Sequence, residues 1–208
     1  MIGIGLNIGI WIDGLMYPSR YFKEIEGRED AKRIAKNILI AGVLMGLVPV
    51  ILQIILLKVF PGQVLELTKQ QQPEALEVVK NLVATPLTEL IYSGAITTVL
   101  SAIVTSIGLF MLFGFTYLLS LALGSRGKIM TQYHYQAALL VPITIGWAIL
   151  TLILGVVLGL AALLLYLIYP MSIALRETHK MATWKAVLIS TISIFMVLYL
   201  SATLVRPF

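Results

Sequence analysis

Two histidines, His134 and His179, carry the side chains of this sequence that are best suited to acid–base or metal chemistry. A histidine beside a carboxylate can transfer a proton or bind a metal ion, and Glu177 lies two positions before His179. The sequence has no HExxH pattern, no glycine-rich phosphate loop and no nucleophile signature, and its lack of cysteine excludes thiolate sites. We therefore expect no enzyme activity, no catalytic residue, no metal site and no cofactor.

A second set of polar residues lies inside long apolar runs. Hydroxyl residues recur there every four positions, a spacing that places them in one stripe along a helix. Such a stripe forms either a packing seam between helices or the lining of a polar path through the membrane. The members of this candidate intramembrane polar site are Gln53, Ser93, Thr97, Ser101 and Thr105.

The elements that must position both sets are membrane spans. The 208 residues are 59% hydrophobic and 12% charged, with a mean hydropathy of +0.96, which lies outside the range of soluble domains. Uncharged stretches long enough to cross a bilayer are continuous rather than alternating, and this pattern predicts helices. The net charge of +5 without a folded basic domain does not argue for nucleic-acid binding. These stretches are 37–57, 90–125, 137–175 and 186–205.

The longest uncharged run, 137–175, predicts a helical hairpin. As one helix it would be about 59 Å long, against a hydrocarbon core of about 30 Å. Gly155 and Gly159 lie near its middle, where a change of direction costs the backbone least. We therefore expect two spans, at about 137–154 and 159–175.

The distribution of Lys and Arg predicts the topology. Five spans, with the N-terminus cytoplasmic and the C-terminus extracytoplasmic, place most of the 15 basic residues on the cytoplasmic side. Counting four or six spans leaves the two sides closer to balance. We expect an all-α integral membrane protein, a five-helix bundle with spans at about 38–57, 86–123, 137–154, 159–175 and 186–205.

The segments outside these spans divide the chain further. Residues 1–36 form an interfacial and juxtamembrane segment, in which a short helix is expected from Pro18 to Gly27, and residues 37–208 form one transmembrane domain. Residues 1–16 alternate between apolar residues and mainly glycine; they are too short to span, and the pattern leaves their conformation open. Between the first two spans, Pro73 begins a predicted amphipathic helix on the membrane surface.

The predicted hairpin brings its two polar flanks to the same side of the membrane. We interpret these flanks as one cytoplasmic interaction patch. Its members are Arg126, Lys128, Tyr135, Gln136, Arg176, Glu177, His179 and Lys180.

Several short segments form a recognisable set along the chain: Gly124-Ser-Arg-Gly-Lys-Ile, Tyr135-Gln-Ala, Pro142, Ala174-Leu-Arg-Glu-Thr-His-Lys-Met and Lys185-Ala-Val-Leu. Together they resemble the Yip family of Ypt/Rab-interacting membrane proteins. The resemblance implies five helical spans with a cytoplasmic N-terminus, and for eukaryotic members a role in vesicle traffic with Rab GTPases and other Yip-type proteins. This sequence lacks the long N-terminal region and the Asp-Leu-Tyr-Gly-Pro type motif of those members, which argues against Rab binding and favours a compact prokaryotic member.

We expect a non-enzymatic scaffold of the bilayer, in the plasma membrane of a prokaryote, with a basic cytoplasmic face. Its expected partners are membrane lipids, further copies of itself or other membrane proteins. The alternatives are a small channel or carrier, indicated by Gln53, the hydroxyl stripe and prolines within spans, and a lipid-binding or membrane-shaping protein.

Overall fold

All the elements that the structure describes are helices, which confirms the all-helical class. The computed structural model describes Gly14 and residues 16–204, with side chains except at 152–157, 160 and 197–204. The elements are α1 (Pro18–Ile25), α2 (Ala31–Val59), α3 (Pro61–Gln71), a 3-10 turn (Pro73–Ala75), α4 (Leu76–Ala84), α5 (Leu87–Ala122), α6 (Ile129–His179) and α7 (Thr183–Leu204).

Four described segments are long and apolar enough to cross a membrane. They are Ala31–Val59, Leu87–Ala122, Ile129–Thr151 and Ala161–His179, and α7 adds a shorter apolar helix at Thr183–Met196. The predicted juxtamembrane helix is present as α1, and the predicted surface helix begins with the 3-10 turn and continues as α4. Most of the interfacial segment expected at residues 1–16 lies outside the described residues.

The element α6 extends from Ile129 to His179, but it is not one straight helix. A straight helix of 51 residues would be about 76 Å long, whereas the His179 ring contacts the Gln132 side chain near the other end of α6. The chain reverses close to Gly159, where a Cβ atom would stand 2.9 Å from the backbone nitrogen of Thr151. Only glycine allows this approach, and α6 therefore folds back on itself.

Packing divides the chain into two compact units. The hairpin unit comprises residues 1–41 and 106–208, and the middle unit comprises residues 42–105. In the hairpin unit, α6 packs against both α1 and α7. Two apolar clusters among its described residues consist of Ile34, Ile38, Ala41, Phe113, Ala137 and Leu140, and of Leu175, Ala186 and Ile189.

In the middle unit, glycines bring α2 and α5 into close contact. A Cβ atom at Gly46 would stand 2.9 Å from the carbonyl oxygen of Thr98 and 3.0 Å from the Cβ of Ser101. Outside this seam, the Lys58 ammonium at the end of α2 donates hydrogen bonds to the carbonyl oxygens of Val83 and Thr85. A cation suits this position because the last carbonyls of α4 carry partial negative charge.

Candidate functional site

The most distinctive feature of the hairpin unit is a buried network of polar side chains at the two ends of α6. Gln132 and Gln136 lie one turn apart at the start of α6, and both side chains are fully buried. A glutamine amide inside an apolar environment costs several kcal/mol unless its donors and acceptor are bonded. The network consists of Thr116, Ser125, Gln132, Gln136 and His179.

Thr116 on α5 joins the two glutamines. The Gln132 amide nitrogen donates to the Thr116 hydroxyl at 2.7 Å and to the Phe113 carbonyl at 3.1 Å. The Gln136 amide nitrogen donates to the same hydroxyl at 3.2 Å, and the Gln136 oxygen lies 3.1 Å from the Gln132 amide nitrogen, whose two hydrogens are shared among three acceptors. The Thr116 hydroxyl in turn donates to the Phe113 carbonyl at 2.8 Å. These bonds fix α5 against the start of α6.

His179 closes the network from the other end of α6. Its Nε2 contacts the Gln132 side-chain oxygen, and its Nδ1 lies 2.7 Å from the Ser125 hydroxyl. Because an amide oxygen only accepts, Nε2 carries the hydrogen, and in the neutral ring Nδ1 accepts the Ser125 hydrogen. One histidine thus ties the loop before α6 to both ends of that helix.

Gly127 allows this loop to lie directly on the end of the hairpin. A Cβ atom at Gly127 would overlap the His179 ring and stand 2.7 Å from the Thr178 carbonyl oxygen. The Gly127 carbonyl accepts a hydrogen bond of 3.3 Å from the Tyr117 hydroxyl. The loop is therefore held from both sides, by α5 and by α6.

The eight residues of the predicted cytoplasmic patch divide into a buried group and an accessible group. Tyr135, Gln136 and His179 are buried within the hairpin unit. Glu177 accepts from Arg176 at 3.1 Å and from Lys180 at 3.6 Å. We call the accessible group the hairpin-end surface; it consists of Arg126, Lys128, Arg176, Glu177 and Lys180.

The short helix α1 covers one side of the start of α6. The Phe22 ring stacks on Tyr135 with a centroid distance of 4.7 Å and an angle of 16°. Beyond α1, the Glu29 carboxylate accepts a 3.0 Å hydrogen bond from Thr131, and its own backbone N–H together with Thr131 lowers the pKa of Glu29. Burial, reinforced by Glu24, raises the pKa of Tyr21. The stacking of Phe22 on Tyr135 therefore holds α1 against α6.

The second histidine lies outside the network. His134 is buried, and its Nε2 has no hydrogen-bond partner among the described residues. The charged side chains of Glu29, Arg33 and Asp30 lie close enough to interact electrostatically with its ring. Within the part of the chain that the structure describes, no three His, Asp or Glu side chains form a group that could hold a metal ion.

The candidate intramembrane polar site lies in the middle unit and is not one connected cluster. The Ser93 and Thr97 hydroxyls donate to the carbonyls of Leu90 and Ser93 in their own helix, at 3.2 Å and 3.0 Å. Ser101 packs against Gly46, Thr105 is half-buried and Gln53 is exposed on α2.

The chemistry of the buried network is structural. Ser125 and His179 have the types of a nucleophile and its base, but the third partner, Gln132, is a neutral amide that cannot stabilise an imidazolium as a carboxylate does. What the network can do is fix tertiary structure, since each of its side chains needs partners from another segment.

Sequence reasoning missed four residues of this site. Gln132 could have been found, because its spacing of four from Gln136 places two amides on one helical face beside an apolar run. Thr116 looks like any other hydroxyl residue of an apolar helix. The contacts of Ser125 and Gly127 depend on the fold-back of α6, which no local pattern reports.

Comparison with known families identifies the chain. The model of the Yip1 domain matches residues 13–205. This chain belongs to the Yip1 family. The family is one of integral membrane proteins of trafficking and is not known for enzymes. No curated protein and no solved structure gives a significant match.

Proposed function

We propose that this Yip1 protein is a non-enzymatic scaffold that binds other membrane proteins or further copies of itself through the hairpin-end surface. The observation that carries the proposal is the buried network beneath that surface. It ties the 124–128 loop to both ends of α6, so the exposed cations stand on a rigid base. Binding to a preorganised surface avoids the entropy cost of ordering it.

The hairpin-end surface is basic. Arg126, Lys128 and Lys180 are exposed, and of these three only Lys180 has an ion-pair partner among the described residues. Complementary acidic patches on partner proteins, or anionic headgroups, suit such a surface.

In the proposed topology the protein has five spans, a cytoplasmic N-terminus and an extracytoplasmic C-terminus, in the plasma membrane of a prokaryote. The apolar helix α7 serves as the fifth span, and the hairpin-end surface faces the cytoplasm. The concentration of Lys and Arg in the segments on that side supports this orientation.

Single-cysteine labelling tests the topology without background, because the chain contains no cysteine. Gln71→Cys is expected to react with an impermeant maleimide from outside intact cells, whereas Arg126→Cys is expected to react only after lysis. The opposite pattern would refute the orientation, and labelling of both from the same side would refute the span count.

Site-specific photo-cross-linking tests the scaffold role. A photoreactive residue in place of Lys128 is expected to give defined adducts in native membranes, and one in place of Lys69 on α3 is the matched exposed control. The double variant R126Q/K128Q should reduce adducts from a photoreactive residue at Lys180, while K32Q/K36Q, which removes two exposed charges on α2, should not. A protein that gives no adduct at either hairpin-end position is not a scaffold of this kind.

A second candidate function is a carrier for a small uncharged polar solute. Six buried polar side-chain atoms in the hairpin unit have no partner among the described residues, and three of them are Trp147 Nε1, Thr151 Oγ1 and Ser193 Oγ. Buried polar groups are normally bonded, so a polar guest would satisfy them. Solute flux into proteoliposomes, compared between the unaltered chain and T151V/S193A, tests this candidate; equal flux in protein-free liposomes would dispose of it.

A further inference from the structure

A cleft of about 470 Å³ lies in the middle unit where α4 ends and α5 begins. Its volume falls in the range of sites that hold small ligands. Because α5 is a candidate span that begins at Leu87, the cleft lies at the end of a span, where lipid headgroups are found. Leu82 and Leu90 provide an apolar lining.

The polar groups of the cleft favour a cation that donates hydrogen bonds. Glu89 is the only lining residue that is charged at neutral pH, and it is exposed. The Glu89 carboxylate, the Thr88 hydroxyl and the Tyr92 phenol have no hydrogen-bond partner among the described residues. The Thr85 hydroxyl is bonded to the Asn81 carbonyl and still has a free lone pair.

A positive charge also stands next to this cleft. Lys58 donates to the carbonyl of Thr85, a residue that lines the cleft, and to the carbonyl of Val83. Two of its three N–H donors are used in this way, and the ammonium charge remains. The surroundings therefore combine a carboxylate with a nearby cation, which matches a zwitterion.

We propose that this cleft binds the headgroup of a phospholipid that carries a primary amine, of the phosphatidylethanolamine class. The ammonium group donates to Glu89 and to the neighbouring oxygens, the phosphate lies toward Lys58, and the glycerol carbons contact the leucines. A choline headgroup has no N–H to donate, and a glycerol headgroup adds no cation for Glu89. This site depends neither on the orientation of the protein nor on its role as a scaffold.

Lipid retention tests the site. The purified chain is reconstituted in nanodiscs that contain phosphatidylethanolamine, phosphatidylcholine and phosphatidylglycerol in equal amounts, extracted in mild detergent, and analysed for bound lipid by native mass spectrometry. Phosphatidylethanolamine is expected to be enriched about threefold over each of the others, as for an ion pair near a surface. Glu89→Gln should abolish the enrichment, and T88V should reduce it.

Glu74→Gln is the matched control, since Glu74 is an exposed carboxylate of the 3-10 turn that does not line the cleft. It should leave the enrichment unchanged. Equal retention of the three lipids by the unaltered chain, undiminished enrichment in E89Q, or the same loss in E74Q would each overturn the proposal. Because Glu89 is exposed, all variants are expected to keep the melting temperature of the unaltered chain, which separates loss of binding from unfolding.

Discussion

The two buried glutamines of the hairpin unit and the hydroxyl residues of the middle unit satisfy their hydrogen bonds in different ways. In the middle unit, Ser93, Thr97 and Thr98 donate to carbonyls three or four residues earlier in α5 itself. In the hairpin unit, Gln132 bonds to α5 and to the far end of α6. A short hydroxyl side chain reaches its own backbone, whereas a glutamine in an apolar helix needs another segment. A stripe of hydroxyl residues is therefore compatible with many arrangements of neighbouring helices. The two glutamines require one particular arrangement, in which their partners on other segments are in place.

The largest effect is expected from Gln132→Leu, which removes the centre of the network. The change leaves His179 Nε2 without a partner and leaves the Gln136 oxygen with only its 3.5 Å hydrogen bond from Thr116. We therefore expect a loss of about 3 kcal/mol in the free energy of unfolding. Unfolding by SDS titration in mixed micelles measures it. In the middle unit, Gln53→Leu should change stability by less than about 0.5 kcal/mol because Gln53 is exposed. Equal losses would remove the distinction between the units.

Gly127→Ala is expected to cost about 2 kcal/mol, since the added methyl group overlaps the His179 ring and must displace the loop. The matched change in the middle unit is Gly62→Ala in α3, where nothing lies within 4 Å of the added Cβ. There alanine should stabilise the helix slightly. Melting temperatures of the two variants in one detergent test this, and a stable G127A variant would show that the loop does not rest on His179.

The same substitution, threonine to valine, can be made in both units, and its cost in the free energy of unfolding can then be compared. Thr116→Val removes an acceptor of two amides in the hairpin unit and should cost about 1.5 kcal/mol. Thr97→Val removes a hydroxyl that bonds only within its own helix and should cost less than about 0.5 kcal/mol. The SDS concentration at which half of each variant is unfolded measures these two costs. Similar midpoints would mean that the network contributes no tertiary stability.

The smallest effect is a pH dependence at the edge of the hairpin unit. The pKa of Glu29 is lowered in the folded chain, so its contribution is complete above the unfolded pKa and is lost as pH falls through the folded value. Thr131→Val should reduce the acid-induced loss of stability, by less than about 0.5 kcal/mol because the carboxylate is exposed. Thr68→Val in α3, whose hydroxyl bonds to Val64, is the control and should leave the pH profile unchanged.

The sequence predicts the long apolar helices of this chain because their signal is local, whereas the count of five spans stays a prediction beside the four candidate spans among the described residues. Uncharged runs predict the long helices, Pro18 begins α1, and Gly159 lies where α6 folds back. Each of these signals acts within a few residues. The predicted first span, 38–57, was shorter than α2 because the charged turns before it continue the helix on the polar side. The short helix α3 was not predicted, since its polar, glutamine-rich sequence has no strong apolar period.

The candidate site was less predictable because its contacts are distant in the sequence. The charges and positions of the two flanks of the hairpin predict that they lie near each other, but they do not indicate which of their side chains are buried. Tyr135 is buried because Phe22 stacks on it, and His179 is buried because Gly127 leaves room for its ring. Both causes lie in other segments of the chain.

The fold-back of α6 also has a consequence for synthesis of the chain at the ribosome. Gln132 emerges 47 residues before its partner His179, a delay of about 2 to 9 s at typical rates of translation. During that interval the Gln132 side-chain oxygen has no His179 ring to donate to it, so water or the insertion machinery must supply its hydrogen bond. The Gln132 oxygen therefore gains its protein partner only after the second arm of α6 has been synthesised.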